Sequence, residues 1–134
     1  MIRLEQQQMA TIFIVDDEQD ISEILVKSFK NHGYDVIGFT SSETLIRSLT
    51  DIKCSLIISD IKMPSINGID LLKLMKQKLG DRHPPIVYFT AFKETYDEEL
   101  LELGADAVFQ KPTMFDEMVE YVESKIGRNS SSPN

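Results

Sequence analysis

The chain has 134 residues, 42% of them hydrophobic and 27% charged, and a net charge of −8. That length fits one domain with a real core. The charge argues against nonspecific binding to nucleic acid or to an anionic membrane, and no apolar run approaches the roughly 18 residues of a membrane span.

The N-terminus, "MIRLEQQQMA", lacks the apolar centre of a signal peptide, so a cytoplasmic protein is expected. Residues 1–10 read as an N-terminal extension. "TIFIV" (11–15) is a short β-branched strand that ends at Asp16-Asp17. A helical pattern follows, with Ile21, Ile24, Leu25, Ser28 and Phe29 on one side. Gly33 stops it as a C′ residue. "YDVIGF" (34–39) reads as a second strand, and "SSETLIRSL" (41–49) as a short helix capped by serine. "CSLIISD" (54–60) is a third strand, apolar on both faces and so buried on both sides. Cys54 opens it as a small core residue. A single cysteine forms no internal disulfide, in agreement with a reducing compartment.

Asn67 caps a helix running to Leu79, whose apolar side is Ile69, Leu72, Leu74, Met75 and Leu79, and Gly80 ends it. "PPIVYFTA" (84–91) is the fourth strand. Thr95 and Glu98 form a capping-box pattern before "LLELGA". "AVFQK" (107–111) is the fifth strand. Thr113 and Asp116 repeat the capping signal before Phe115, Met118, Val119, Val122 and Ile126. The tail 128–134 is polar and expected to be disordered. Five alternations of strand and helix over 11–127 imply a three-layer α/β domain, a parallel sheet with helices on both faces. Right-handed crossovers narrow its topology, and the ligand site then lies at the carboxyl ends of the strands.

The residues at those ends are Asp16 and Asp17, Asp60, Thr90, and Lys111. Each alone has an ordinary explanation: a helix cap, a turn, β-propensity. Jointly they place three acids, a hydroxyl and an amine on one edge. Two carboxylates about 4 Å apart at an effective dielectric near 20 repel by about 4 kcal/mol. Either one acid is protonated or a cation binds. Lys111 leaves a surplus of two negative charges, which a divalent ion matches, and oxygen-only ligands with open positions suit Mg2+. A metal-held carboxylate can attack phosphorus to form an aspartyl phosphate, a transfer that needs mainly alignment and charge neutralisation. Asp60, alone on the central strand, is the expected nucleophile. Asp16 and Asp17 suit the metal, Lys111 pairs with the phosphoryl group, and Thr90 donates a hydrogen bond to it.

Four pieces carry a family resemblance: "VDDE" (15–18), "SDIKMPSING" (59–68), "FTA" (89–91) and "FQKP" (109–112). In order and spacing they resemble the receiver domain of bacterial two-component response regulators, over residues 11–127. The resemblance implies a doubly wound (βα)5 fold, flavodoxin-like, with strand order 2-1-3-4-5. It implies Asp60 as phosphoacceptor, with Asp16, Asp17, Asp60 and the backbone carbonyl of Lys62 as Mg2+ ligands. It makes Thr90 the switch hydroxyl, Lys111 the phosphoryl contact, Phe109 the rotating aromatic, and Lys111-Pro112 a cis peptide. Lys62 and Phe92 flank the path of attacking water and tune the phosphoryl lifetime, with the Lys62 side chain free toward the site.

The implied donor is a histidine kinase or phosphotransfer protein. The implied output is a protein target that reads the surface of helix 4, strand 5 and helix 5. Residues 94–123 hold ten acids and one base, −9 in all against +1 elsewhere, which is a solvated face or a docking surface for a basic partner. Neither nucleic acid nor membrane is an expected partner. The protein is expected to act as a monomer or an activation-dependent dimer, and as a phosphoacceptor rather than an enzyme. A receiver severed from a longer regulator with a DNA-binding or enzymatic output is the alternative. A Mg2+-dependent haloacid-dehalogenase-type phosphatase is more distant, because it needs an acid where Lys62 stands. No Walker or G-x-G-x-x-G pattern supports nucleotide binding.

Overall fold

The structure is a computed structural model that describes residues 10–127. The expected tail, and all of the expected N-terminal extension but Ala10, lie outside the described residues. Ala10 packs against the core, and its carbonyl accepts from the Asp35 N–H at 3.0 Å.

Five strands and five helices alternate: β1 (Thr11–Val15), α1 (Gln19–Asn31), β2 (Asp35–Phe39), α2 (Ser42–Ser48), β3 (Leu56–Ser59), α3 (Gly68–Leu79), β4 (Ile86–Thr90), α4 (Lys93–Leu103), β5 (Ala107–Gln110) and α5 (Phe115–Ile126). All neighbouring strands are parallel, in the order β2-β1-β3-β4-β5. This is the three-layer doubly wound sheet that the periodicities and the resemblance imply.

Each strand faces two ways, so the sheet divides the core in two. On one side Ile12, Ile14, Leu56, Ile58, Val87 and Phe89 meet Leu25 and Phe29 of α1 and Met118 and Val122 of α5. On the other, Phe13, Val15, Ile57, Ile86 and Tyr88 meet Leu45 of α2, Leu71, Leu72 and Met75 of α3, and Leu100 of α4.

Several local expectations change. β3 is Leu56–Ser59 rather than 54–60, because its ladder with β1 begins at Ile12 opposite Leu56. Cys54 therefore precedes the strand, half-buried, with its thiol donating to the Leu56 carbonyl at 3.3 Å. Tyr34 lies outside β2 and packs on the core. Ile24, expected on the apolar side of α1, is exposed, while Leu25 and Phe29 are buried.

The caps divide in the same way. Ser41 and Asn67 cap α2 and α3, accepting from the amides of Thr44 and Asp70. Gly33 has φ +96°, and beside it the Tyr34 amide reaches back to the Phe29 carbonyl. Neither of the two later capping patterns forms. Thr95 lies inside α4, whose cap position is Phe92 and carries no side-chain cap. Thr113 precedes α5, where the carbonyls of Gln110 and Pro112 accept from the Met114 and Phe115 amides instead. The Lys111-Pro112 bond is cis.

Candidate functional site

The register of the sheet assembles the site. Val15 pairs with Ser59, so the next residues, Asp16 and Asp60, leave adjacent strands side by side. The Asp60 N–H still donates to the Val15 carbonyl at 3.0 Å. On the far pair of strands, Thr90 pairs with Gln110, and the Lys111 N–H donates to the Thr90 carbonyl at 2.8 Å. Lys111 then reaches back across the edge. Its Nζ lies 2.8 Å from Asp16 Oδ2, 3.0 Å from Glu18 Oε1 and 3.1 Å from Asp60 Oδ2.

Asp16 and Asp60 are buried, whereas Asp17 is exposed. Carboxylate oxygens of Asp16, Asp17 and Asp60 lie within 4.8 Å of one another. Burial raises the Asp16 carboxyl above the ordinary range, and the Asp60 charge adds to it, against the opposing pull of Lys111 and the Glu18 N–H. For Lys111, burial favours the neutral amine. Its hydrogen bonds to Asp16 and Glu18 and the charges of Asp60 and Asp16 outweigh that, and its pKa stands well above the usual value. The ammonium is thus fixed in its charged form, yet Asp16 is still short of positive charge. A hard divalent cation with oxygen ligands fits that donor set, and Mg2+ is the ion of matching chemistry.

Asp60 is held at several points. Its Oδ1 accepts from the Ile61 N–H at 2.7 Å, and its carbonyl accepts from Ser59 Oγ at 2.6 Å. The loop after it is clamped by Gly68, whose N–H donates to the Ile61 carbonyl at 2.7 Å and whose carbonyl accepts from the Tyr88 hydroxyl at 2.6 Å. A Cβ at Gly68 would collide with the Asp60 carbonyl oxygen, the Ile61 Cα and the Tyr88 ring. Only glycine lets the start of α3 lie this close beneath the carboxylate.

Thr90 is fully buried, and its Oγ1 accepts from the Phe92 N–H at 3.1 Å. Phe109, expected as the rotating aromatic, departs from expectation. It is buried on the α1/α5 side of the sheet, its ring centroid 5.8 Å from that of Tyr121. Alternation along the strands puts Thr90 on the opposite side, the face that Val108 shares. Lys62 departs from expectation: its side chain is not free toward the site but stacks over the Phe92 ring, 4.4 Å from the centroid. The two residues expected to act together are in contact, because an ammonium above an aromatic face is attracted by the ring's quadrupole.

The structure therefore gathers Asp16, Asp17, Asp60 and Lys111 into one cluster and sets Thr90 at the adjoining strand end. Sequence reasoning did not assign Glu18, the third carboxylate on Lys111, nor Gly68, Tyr88 and Ser59, which brace the Asp60 loop. The signal for Glu18 was the run "VDDE" itself. The bracing residues gave none, since their partners are backbone atoms, the neighbouring Asp60 carbonyl for Ser59 and more distant ones for Gly68 and Tyr88.

A family model for the response regulator receiver domain matches residues 12–123. Among curated proteins, the DNA-binding response regulator MtrA of Mycolicibacterium paratuberculosis is 30% identical over 123 residues, covering 91% of this chain and 53% of MtrA. The response regulator SaeR of Staphylococcus aureus is 37% identical, covering 90% and 52%. The chain thus spans about half the length of the curated relatives it matches. Among solved structures, the response regulator TrrA of Thermotoga maritima, in complex with Mg2+ and BeF, is 30% identical, with a TM-score of 0.76 over 87% of this chain and 98% of TrrA. The chemotaxis protein CheY4 of Vibrio cholerae shares the fold, with a TM-score of 0.79 at 20% identity over 88% of this chain and 99% of CheY4.

Proposed function

This chain belongs to the response regulator receiver domain family, and we propose that within two-component signalling Asp60 is the residue that accepts the phosphoryl group. The observation that carries the reading is the buried cluster itself: Asp60 oriented by the Ile61 N–H, paired with Lys111, and set against Asp16 and Asp17. Asp16, Asp17, Asp60 and the Lys62 carbonyl would hold Mg2+, which when bound supplies positive charge to the carboxylates and to the incoming phosphoryl oxygens.

An Asp60 oxygen attacks the phosphorus of a phosphohistidine on a histidine kinase or phosphotransfer protein. The new O–P bond forms as the P–N bond breaks, and the imidazole nitrogen keeps the electron pair and takes a proton from water. Lys111 Nζ, permanently charged, follows the negative charge onto the phosphoryl group. Water later cleaves the acyl phosphate, so the domain catalyses its own phosphorylation and dephosphorylation without being an enzyme for a separate substrate.

The phosphoryl group carries about −1.5 to −2 charges in place of the carboxylate's −1, so the end of β3 gains about −0.5 to −1. Thr90 turns its hydroxyl from the Phe92 N–H to a phosphoryl oxygen, while Phe109, on the opposite α1/α5 face of the sheet, has no access to the space it leaves. The surface of α4, β5 and α5 shifts population and a protein partner reads it. Either a monomer or an activation-dependent dimer presents that surface. MtrA's DNA-binding description and the half-length match favour a second reading, in which this receiver governs a DNA-binding output on a longer chain.

The test is acetyl phosphate or beryllofluoride with Mg2+, comparing wild type with Asp60→Asn by intact-protein mass and Mg2+-dependent spectroscopy. Wild type should gain the adduct and the variant should not. A wild-type protein that stays unmodified sinks the reading.

A further inference from the structure

Helix α4 starts without a cap of its own, yet two of the amides at its start that have no intrahelical partner are met. The Phe92 N–H donates to Thr90 Oγ1 at 3.1 Å, and the Lys93 N–H donates to Gln110 Oε1 at 3.2 Å. Both acceptors are the last residues of their strands, and they face each other in the β4–β5 register. Gln110 does more. Its Nε2 donates to the Ala91 carbonyl at 3.0 Å and to the Lys111 carbonyl at 3.1 Å. One N–H needing an acceptor and two carbonyls needing donors fix which end of the amide is which. A single side chain thus joins the first turn of α4, the residue after Thr90, and the backbone of the lysine that holds Asp60.

We propose that Gln110 is a positioning residue that sets where the start of α4 lies and how readily it leaves that place when Asp60 is phosphorylated. The coupling rests on the reading of Asp60 and Thr90 given above. Gln110 touches no reacting atom and acts through the α4 backbone and Lys111. When Thr90 turns toward a phosphoryl oxygen, the Phe92 N–H loses its acceptor. Of the two side-chain bonds to the α4 entrance amides, only the one from Gln110 then remains. The amide therefore resists displacement of α4, and it ties any displacement that does occur to movement of the Lys111 backbone.

The experiment compares wild type with Gln110→Met, which keeps length and volume but has no amide. Hydrogen exchange is followed amide by amide on the full chain, and beryllofluoride is titrated in the presence of Mg2+. Loss of one hydrogen bond should speed exchange of the Lys93 amide about 5- to 10-fold, with the Ile58 and Val87 amides of the central strands unchanged. The beryllofluoride concentration at half-response should fall by about 2- to 10-fold, since less resists the shift. An unchanged Lys93 amide, equal acceleration at all three amides, or an unmoved beryllofluoride midpoint each overturns the proposal. Wild type that ignores beryllofluoride sinks the phosphoacceptor reading and the coupling with it, while the exchange rates still judge the positioning role alone.

Discussion

Helices α3 and α4 pack on the same face of the sheet and have 12 and 11 residues. α3 carries its own N-cap, Asn67, and buries Leu71, Leu72 and Met75. α4 buries Leu100 alone and is held at both ends by other elements. Thr90 and Gln110 serve its entrance, and Lys76 of α3 donates to the Leu103 carbonyl at 2.6 Å beside Gly104 at its exit. A helix with its own cap and a buried stripe is fixed by its sequence. One whose ends are held by strand-end residues moves when those residues move. Through Gly68, α3 braces the Asp60 loop and must stay in place. α4 begins three residues after Thr90, close enough to respond to that switch residue.

Substitutions can break this contrast, and the largest effect belongs to the buried stripe of α3. Leu72→Ala, at a fully buried site on α3, should lower unfolding free energy by about 2–5 kcal/mol. Leu101→Ala on α4, half-exposed, should stay within about 0.5 kcal/mol. Urea unfolding measures both, and near-equal values would erase the distinction. Next comes Gly68→Ala, which forces α3 away from the Asp60 backbone and should cost about 1–3 kcal/mol. It should also depress beryllofluoride binding, because the carboxylate moves with its loop. Gly104→Ala meets nothing closer than Lys76 Nζ at 3.7 Å and suffers only its φ of +112°. Its cost of about 1–2 kcal/mol should leave that binding intact. Smaller again, Asn67→Ala should cost about 1 kcal/mol as a true cap, while Thr95→Ala should fall within about 0.5 kcal/mol, having no capping role to lose.

The same contrast marks how far the sequence could be read. The meeting of Asp16, Asp17, Asp60 and Lys111 was legible, because strand-end positions follow from periodicity and all parallel strands end on one edge, while the strand order followed from the family resemblance rather than from any local pattern. Ser41 and Asn67 were legible because a cap and its amide lie three residues apart. The entrance of α4 was not: its acceptors stand at positions 90 and 110, and the nearby Thr95–Glu98 pattern offered a local answer that the fold does not use. Glu18 was visible inside "VDDE" but had no assigned partner until Lys111 was seen crossing the sheet edge. Lys62 misled for a related reason. Its spacing from Asp60 placed it near the site, but nothing local announced an aromatic ring 30 positions away that would draw its ammonium aside.

That pairing gives the smallest predicted effect. Phe92 is 40% exposed at the cap position of α4, and the Lys62 ammonium rests 4.4 Å above its ring. The family resemblance implies that the two flank the path of water to a phosphorylated Asp60, so slow autodephosphorylation is expected. An exposed cation–π contact contributes about 0.5–1 kcal/mol, equivalent to a factor of about 2–5 in rate if the contact must open for water to enter. Lys62→Met keeps the bulk and removes the charge, so it isolates the contact and should quicken loss of the phosphoryl group by that factor. Phe92→Glu removes the ring as well and should quicken it further. The measurement is the decay of phosphorylated protein after the donor is removed, with Mg2+ present throughout. If wild type lost its phosphoryl group within seconds and neither substitution changed the decay, the pair would be a surface contact with no part in lifetime. If Lys62→Met slowed the decay, the lysine would be guiding water in rather than keeping it out.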